Sequence, residues 1–368
     1  MLQSLIISKR LASVRPGAVA GCPQGAAGRV ESKLENTRAV PYPCRDMKRH
    51  WISRIIKFIL AVVVAYFVWR QLSQNWQEVL KFEWNIAPGE LALSIALHLV
   101  TFAAFSKVWS WLIRAYGINV QFRDAFKISY LASLGRYIPG KIWPVFGMVY
   151  LARQVGIKES ESVSSWAVAM LYAILSSAVL CVALALIDPS IRNGLFELAS
   201  SAVIVALAIG ALSVSAALLL LPGAAARMLN LGLRILRRDP ISLEITRRTS
   251  VTIFLGYLAC WILYGAAFWL FIGAMTDQVE LPALVGIGAF VIAYQMGYLA
   301  IFVPGGIGVR ELALAAILGP FVGEAAIGIA LAARIWNLAV EILATVIAFN
   351  IRAPRERSPT NPDVAAHT

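Results

Sequence analysis

The sequence predicts an all-α integral membrane protein with about six transmembrane helices and two re-entrant helical hairpins in an inverted repeat. Three observations predict it. The chain is 59% hydrophobic and only 14% charged, against roughly 25% charged for an ordinary soluble domain. Its apolar residues fall in runs of about 20, the length of helix that crosses a bilayer. Two further apolar stretches are broken by Pro139-Gly140 and Pro304-Gly305, about 165 residues apart. A soluble globule of this size has too little polar surface to cover so many apolar residues.

Residues 1–46 differ in kind from the rest. They are rich in Gly, Pro, Arg and Ser, and their one apolar patch, 5–7, is very short. A signal-peptide core needs about 7–15 apolar residues. The segment is expected to be a disordered extension. The basic run MKRHWISR begins at Met47 and leads straight into the first apolar helix, so Met47 is the expected natural start. The transmembrane domain then occupies 47–350, with repeat halves at about 50–190 and 197–350, and a polar tail covers 351–368.

The spanning candidates are residues 55–72, 91–112, 163–187, 199–221, 251–273 and 325–349. Basic residues orient them. Lys48, Arg49, Arg54 and Lys57 precede the first span; Arg114, Arg123 and Lys127 follow the second; Arg153 and Lys158 precede the third. Arg227, Arg234, Arg237, Arg238, Arg247 and Arg248 follow the fourth, and Arg352, Arg355 and Arg357 follow the last. The opposite loops hold Glu78, Glu83, Glu90, Asp188, Glu197, Asp277 and Glu280, with only Lys81 and Arg192 among the bases. The positive-inside rule therefore expects a multi-pass protein of the cell (inner or plasma) membrane with both termini cytoplasmic. The same loops account for the net charge of +13. Nucleic acid is not an expected partner, because the bases do not form one exposed face.

This charge pattern constrains the two broken stretches. Residues 122–151 have basic flanks at both ends, and 283–318 have outer-side flanks at both ends. Neither crosses once without violating the pattern, so each is expected to enter, turn at depth and leave by the same side. Pro and Gly that merely kink a spanning helix are the alternative. Two breaks at matching positions with opposite flanks favour hairpins. Each half then has two spans, a hairpin and a third span. Three crossings reverse the direction of the second half, which is the inverted repeat of many transporters.

The two breaks read SLGRYIPGKIWPVFGMVYLARQVGIK and FVPGGIGVRELALAA. As an ordered pair they resemble the transmembrane region of the lysylphosphatidylglycerol synthase family, including its stand-alone flippase-like members. The likeness covers roughly residues 50–350. In that family, full-length synthases join a lipid-translocating membrane domain to a soluble aminoacyl-transferase domain. About 19 residues follow Phe349 here, so the resemblance implies the membrane domain without the synthase chemistry.

Charges within apolar helices are candidate functional groups, because each costs at least about 2.5–3.5 kcal/mol at a helix centre. The first hairpin carries Arg136, Tyr137 and Lys141 around its turn; the second carries Arg310 and Glu311 just past Gly305, Gly306 and Gly308. The last span carries Arg334, Asn337 and Glu341 on one face. One reading is a cavity in which the arginines and Lys141 hold a lipid phosphate, arginine's planar fork suiting two bonds to one phosphate. A helix N-terminus near Lys141 would add backbone donors. The other reading is structural. Arg310 pairs with Glu311 or Glu341, Arg334 pairs with Glu341, and Arg136 and Lys141 snorkel to the surface. His98 reads better as a packed residue than as a proton relay. Tyr294 and Gln295 line the second hairpin or pack there. Residues 224–238 are an interfacial helix or a loop helix.

The leading expectation is a flippase-like protein that binds or translocates a phosphate-bearing lipid. Its partners would be anionic phospholipid, glycolipid or a polyprenyl-phosphate-linked species. A small-anion transporter and a non-transporting partner of an envelope-biosynthesis enzyme are the alternatives. An enzyme is not expected, since no carboxylate pair or nucleophile–base set stands at useful spacing. No cofactor is expected, and no metal. The cysteines Cys22, Cys44, Cys181 and Cys260 form no CxxC pair, and the three histidines are scattered.

Overall fold

A computed structural model describes residues 85–137, 143–221, 223–235, 245–276, 280–300, 306, 308–323 and 325–351. The N-terminal extension, the first span, Pro139, Gly140, Lys141, Pro304, Gly305, the Tyr137 side chain and the tail beyond Ile351 lie outside the described residues.

Among the described residues, eleven α-helices follow one another. They are α1 (Pro88–Arg114), α2 (Phe122–Ser133), α3 (Trp143–Arg153), α4 (Glu159–Ile187), α5 (Pro189–Leu198) and α6 (Ser201–Leu220). Then come α7 (Ala224–Ile235), α8 (Arg247–Met275), α9 (Ala283–Leu299), α10 (Val309–Val322) and α11 (Ala325–Asn350). A 3-10 turn, Leu134–Tyr137, extends α2. Five helices, α1, α4, α6, α8 and α11, are long and apolar enough to span a bilayer, and they coincide with the second to sixth expected spans. Helix α6 is apolar all round, with Val203, Val205, Leu207, Ile209 and Leu212 exposed. Such a surface suits hydrocarbon, not water.

The repeat is visible in the packing. Exchanging α1 with α8, α2 with α9, α3 with α10 and α4 with α11 maps each substantial interface among these eight helices onto another. Thus α2 packs on α3 and α11, while α9 packs on α10 and α4. The central pair α1 and α8 maps onto itself. These two run antiparallel. Ala87 N–H donates to Ala274 O (2.9 Å) at one end, Ser94 Oγ donates to Ala267 O (2.8 Å) further along, and Gly256 lies against Val108 near the other end. An antiparallel central pair is what an inverted repeat requires.

Both broken stretches form helical hairpins, α2–α3 and α9–α10. Small residues let their arms close. A Cβ at Gly147 would lie 3.2 Å from Ala132 Cα, and one at Gly306 would lie 2.6 Å from Gly297 Cα. Each first arm runs antiparallel to a spanning helix and stops halfway along it. Lys127 Nζ, near the base of α2, donates to Ile351 O at the end of α11 (2.9 Å). The tip of that hairpin, Ser133 and Arg136, meets Glu341 well inside α11. Gly288, near the base of α9, lies against Leu184 and Ile191, while Tyr298 near its tip reaches Met170 inside α4.

Two ends of the bundle follow from the connections. One gathers Arg114, Arg123, Lys127, Arg153, Lys158, Arg247 and Arg248; the other gathers Glu90, Asp188, Glu197 and Glu280. Helix α5, absent from the expected plan, caps the second end. Its Gly194 admits Ile317 of α10. Helix α7 lies over α4 and α6, burying Ala224 and Ala225 and exposing Leu231 and Ile235.

Candidate functional site

The described residues beside the two breaks lie against α11 and the aromatic face of α8, and the intramembrane charges gather there. Two ion pairs hold. Arg136 Nε lies 3.2 Å from Glu341 Oε1, and Ser133 Oγ donates to the same oxygen (3.4 Å). Arg334 Nη1 lies 2.5 Å from Glu311 Oε1. Glu341 is 2% exposed and Arg136 37%, so the carboxylate is sunk and its partner reaches inward to it. Burying an uncompensated carboxylate costs several kcal/mol, which is why Arg136 turns in and does not snorkel outward.

Glu311 has a second task. Its carboxylate accepts from Gly308 N–H (2.7 Å) at the start of α10, satisfying one of the free donors of a helix N-terminus. Gly306 and Gly308 both have positive φ, 68° and 84°, a backbone that L side chains rarely adopt. Gly306 and Gly308 thus give the chain its turn into α10, from whose first turn Glu311 reaches Arg334.

These partners differ from the expected ones. Arg334 does not pair with Glu341, seven residues along its own helix, because Glu311 is brought to it from α10. Glu341 is taken by Arg136 from the other hairpin. Arg310 forms an ion pair with neither glutamate among the described residues. Its guanidinium instead lies over the rings of Phe290 (4.8 Å) and Tyr294 (4.9 Å). Its Nη2 is buried with no hydrogen-bond partner among the described residues.

Aromatic side chains wall this region. His98 is fully buried, and its ring lies 4.5 Å from Phe102, 4.7 Å from Tyr264 and 4.3 Å from Trp336. The Tyr264 hydroxyl donates to Asn337 Oδ1, and Tyr130 donates to Phe102 O (2.9 Å). Tyr264 continues through Phe290 (4.6 Å) to the rings beneath Arg310. Both ring nitrogens of His98, Nε1 of Trp336 and Oε1 of Gln295 are also buried without a hydrogen-bond partner among the described residues.

The structure thus brings together Arg136, Arg310, Glu311, Arg334, Asn337 and Glu341, all expected from the sequence. It also places there His98, Tyr130, Ser133, Tyr264, Phe290 and Trp336, which the sequence reading left out or treated as packing. A signal for Tyr264 was present. Tyr257, Trp261, Tyr264, Phe268 and Phe271 recur at intervals of four and three along α8, an aromatic stripe on one helical face.

The fold and its polar centre define a class: a multi-pass helical membrane protein with paired hairpins around intramembrane charge. The family described as "Lysylphosphatidylglycerol synthase TM region" matches residues 54–344. The chain belongs to this family. The matched region is the non-catalytic membrane part of the family's synthases, and relates this protein to lipid modification or flipping. No curated protein matches the chain.

Proposed function

We propose that this protein binds the phosphate of a membrane lipid between its hairpin tips and carries the headgroup between leaflets. The observation that carries the reading is Arg310. Both glutamates of the site are engaged by other arginines, while the Arg310 guanidinium rests on two aromatic rings with a buried N–H unmatched. A buried donor without a partner costs about 1–3 kcal/mol, and more when charged. A phosphate oxygen would relieve that cost, and the fork of arginine suits it. His98 and Trp336 carry further unmatched ring nitrogens on the same aromatic wall. Arg136 is positioned to exchange Glu341 for phosphate, and Lys141 and Tyr137 follow closely in the chain.

The substrate in this reading is an anionic phospholipid, a glycolipid or a polyprenyl-phosphate-linked lipid. The protein sits in the cell membrane with its basic end and both termini in the cytoplasm, and performs no covalent chemistry. A lipid suits the design because its tails remain in hydrocarbon while the polar centre shelters the head. Arg310→Gln in vesicles bearing a fluorescent anionic phospholipid tests it. Quenching of the inner-leaflet label should slow at least tenfold, about 1.4 kcal/mol of lost interaction. Unchanged transbilayer movement, with the variant folded, would sink the reading.

A further inference from the structure

A second basic site lies far from the hairpin tips, at the basic end of the central helix pair. There α1 ends and α8 begins, and a cleft of about 310 Å³ opens between them. Trp111, Arg114, Arg248, Thr249 and Thr252 line it. The opposite end of the same pair is closed by backbone bonds, Asn85 N–H to Met275 O (3.2 Å) and Ala87 N–H to Ala274 O (2.9 Å).

Three features make the cleft electropositive. Arg114 and Arg248 approach from facing helices, and neither makes an ion pair among the described residues. Two other bases at this end are engaged: Arg153 pairs with Glu159 at 2.6 Å, and Lys127 donates to Ile351 O. Arg247 and Arg248 also occupy the first turn of α8, which contains no acidic residue. A helix N-terminus carries partial positive charge and favours anions, so two cations there are electrostatically misplaced unless a negative group joins them. The Thr252 hydroxyl donates to Arg248 O (2.9 Å). Thr249 shares a hydrogen bond with the cap residue Thr246 (2.9 Å). Both guanidinium groups are thus without an ion-pair partner among the described residues, while both threonine hydroxyls are engaged.

We propose that this cleft binds the phosphate of an anionic phospholipid of the adjoining leaflet, bridging Arg114 and Arg248, with Trp111 beside the upper acyl chain. Its volume suits a headgroup better than a soluble ligand that needs full enclosure. Trp at a span end suits the interface where such a lipid sits. The site does not depend on the hairpin tips or on transport.

Native mass spectrometry of the full chain, released from mixed phosphatidylglycerol–phosphatidylcholine micelles, tests it. The parent should retain phosphatidylglycerol over phosphatidylcholine. Arg114→Gln/Arg248→Gln should lose about tenfold of that retention, since charge-assisted bonds to phosphate are removed. Arg310→Gln should leave this population unchanged, which separates the cleft from the hairpin site. Both cleft residues are exposed, and a matching melting temperature would establish that the double variant is folded. An arm with inorganic phosphate distinguishes the source. Displacement of the lipid by millimolar phosphate would show a site that reads phosphate alone, and resistance to it would show that the acyl chains contribute. Equal retention of phosphatidylglycerol by parent and double variant, or equal retention of the two lipids by the parent, would overturn the proposal.

Discussion

The two hairpins share a place in the fold and differ in chemistry. The first has arms of 12 and 11 residues, and its cation stands at the tip, where Arg136 crosses to Glu341. The second has arms of 17 and 14 residues, and its charges stand on the outgoing arm, Arg310 and Glu311. Where the first tip meets a carboxylate on α11, the second tip meets Met170 on α4 through Tyr298. Aligning the starts of α4 and α11 sets Val168, Leu171 and Leu175 opposite Arg334, Asn337 and Glu341. Packing is duplicated; the polar groups are not. Interfaces between apolar helices survive many substitutions of similar volume, whereas a buried charge needs a specific partner. A duplicated scaffold can therefore keep its geometry in both halves while only one spanning helix carries the charges of the site.

The comparison breaks outright if the hairpins do not return to their own sides. Cysteines at Gln121 and Gln154 flank the first hairpin, and cysteines at Glu280 and at Pro320, in the last turn of α10, stand at the two ends of the second. An impermeant thiol reagent applied to one face of sealed vesicles should label one pair completely and the other not at all. A split within either pair would remove the inverted repeat, and with it the expectation that both tips end at mid-depth.

Smaller effects test the charges. Arg136→Ala takes the arginine from a carboxylate that is 2% exposed and leaves it the long Ser133 Oγ bond (3.4 Å). The expected loss of stability is about 2–4 kcal/mol, less than for a fully buried pair because Arg136 is 37% exposed. Arg334→Ala should cost less, about 1–3 kcal/mol, because Glu311 keeps the Gly308 N–H. Thermal unfolding in one detergent ranks them, and the reverse order would show that Glu341 finds relief elsewhere. Glu341→Gln should recover much of the loss in the Arg136→Ala background, since an amide is cheaper to bury than an anion.

How much of this was legible beforehand follows from the range of each interaction. Five spans were readable because bilayer thickness fixes the length of an apolar run. The hairpins were readable because Pro-Gly breaks coincide with charge flanks that forbid a crossing. The identity of the charged residues was readable too, since charge within apolar helix stands out. Their partners were not. Glu311 and Arg334 are 23 residues apart and Arg136 and Glu341 are 205 apart, and only tertiary packing chooses among such pairs. Helix spacing alone joined Arg334 to Glu341, and the second hairpin overrode it. His98 and Trp336 were hidden for another reason. An aromatic residue in an apolar helix looks the same in sequence whether it packs in a core or walls a site.

The glycines sharpen the contrast at the next level of effect. Gly306→Ala meets two obstacles, a φ of 68° and a Cβ 2.6 Å from Gly297 Cα. About 2–4 kcal/mol is expected. Gly135→Ala meets a clash alone, 2.6 Å from Pro144 N, without a positive φ, and should cost about 1–3 kcal/mol. Gly147→Ala, at 3.2 Å from Ala132 Cα, should cost under about 1 kcal/mol. If Gly306→Ala proved as mild as Gly147→Ala, the second hairpin would have to be looser at its tip than the first.

The smallest effect belongs to the base of the first hairpin. Lys127 Nζ donates to Ile351 O at 2.9 Å, just past the end of α11. The last carbonyls of a helix have no partners within it, and a cation there also meets the negative end of the dipole. Lys127→Met keeps the length of the side chain and removes both interactions, so about 0.5–1.5 kcal/mol should be lost. The loss should shrink as salt screens the parent's advantage. The second hairpin has a neutral bond at its base, Trp269 Nε1–H to Leu281 O at 2.9 Å, so Trp269→Phe should show no such salt dependence. A salt-independent loss at Lys127 would mean that its methylene stem, packed at the hairpin base, matters more than its charge. The first hairpin would then carry its electrostatic tie only at the tip, where Arg136 meets Glu341.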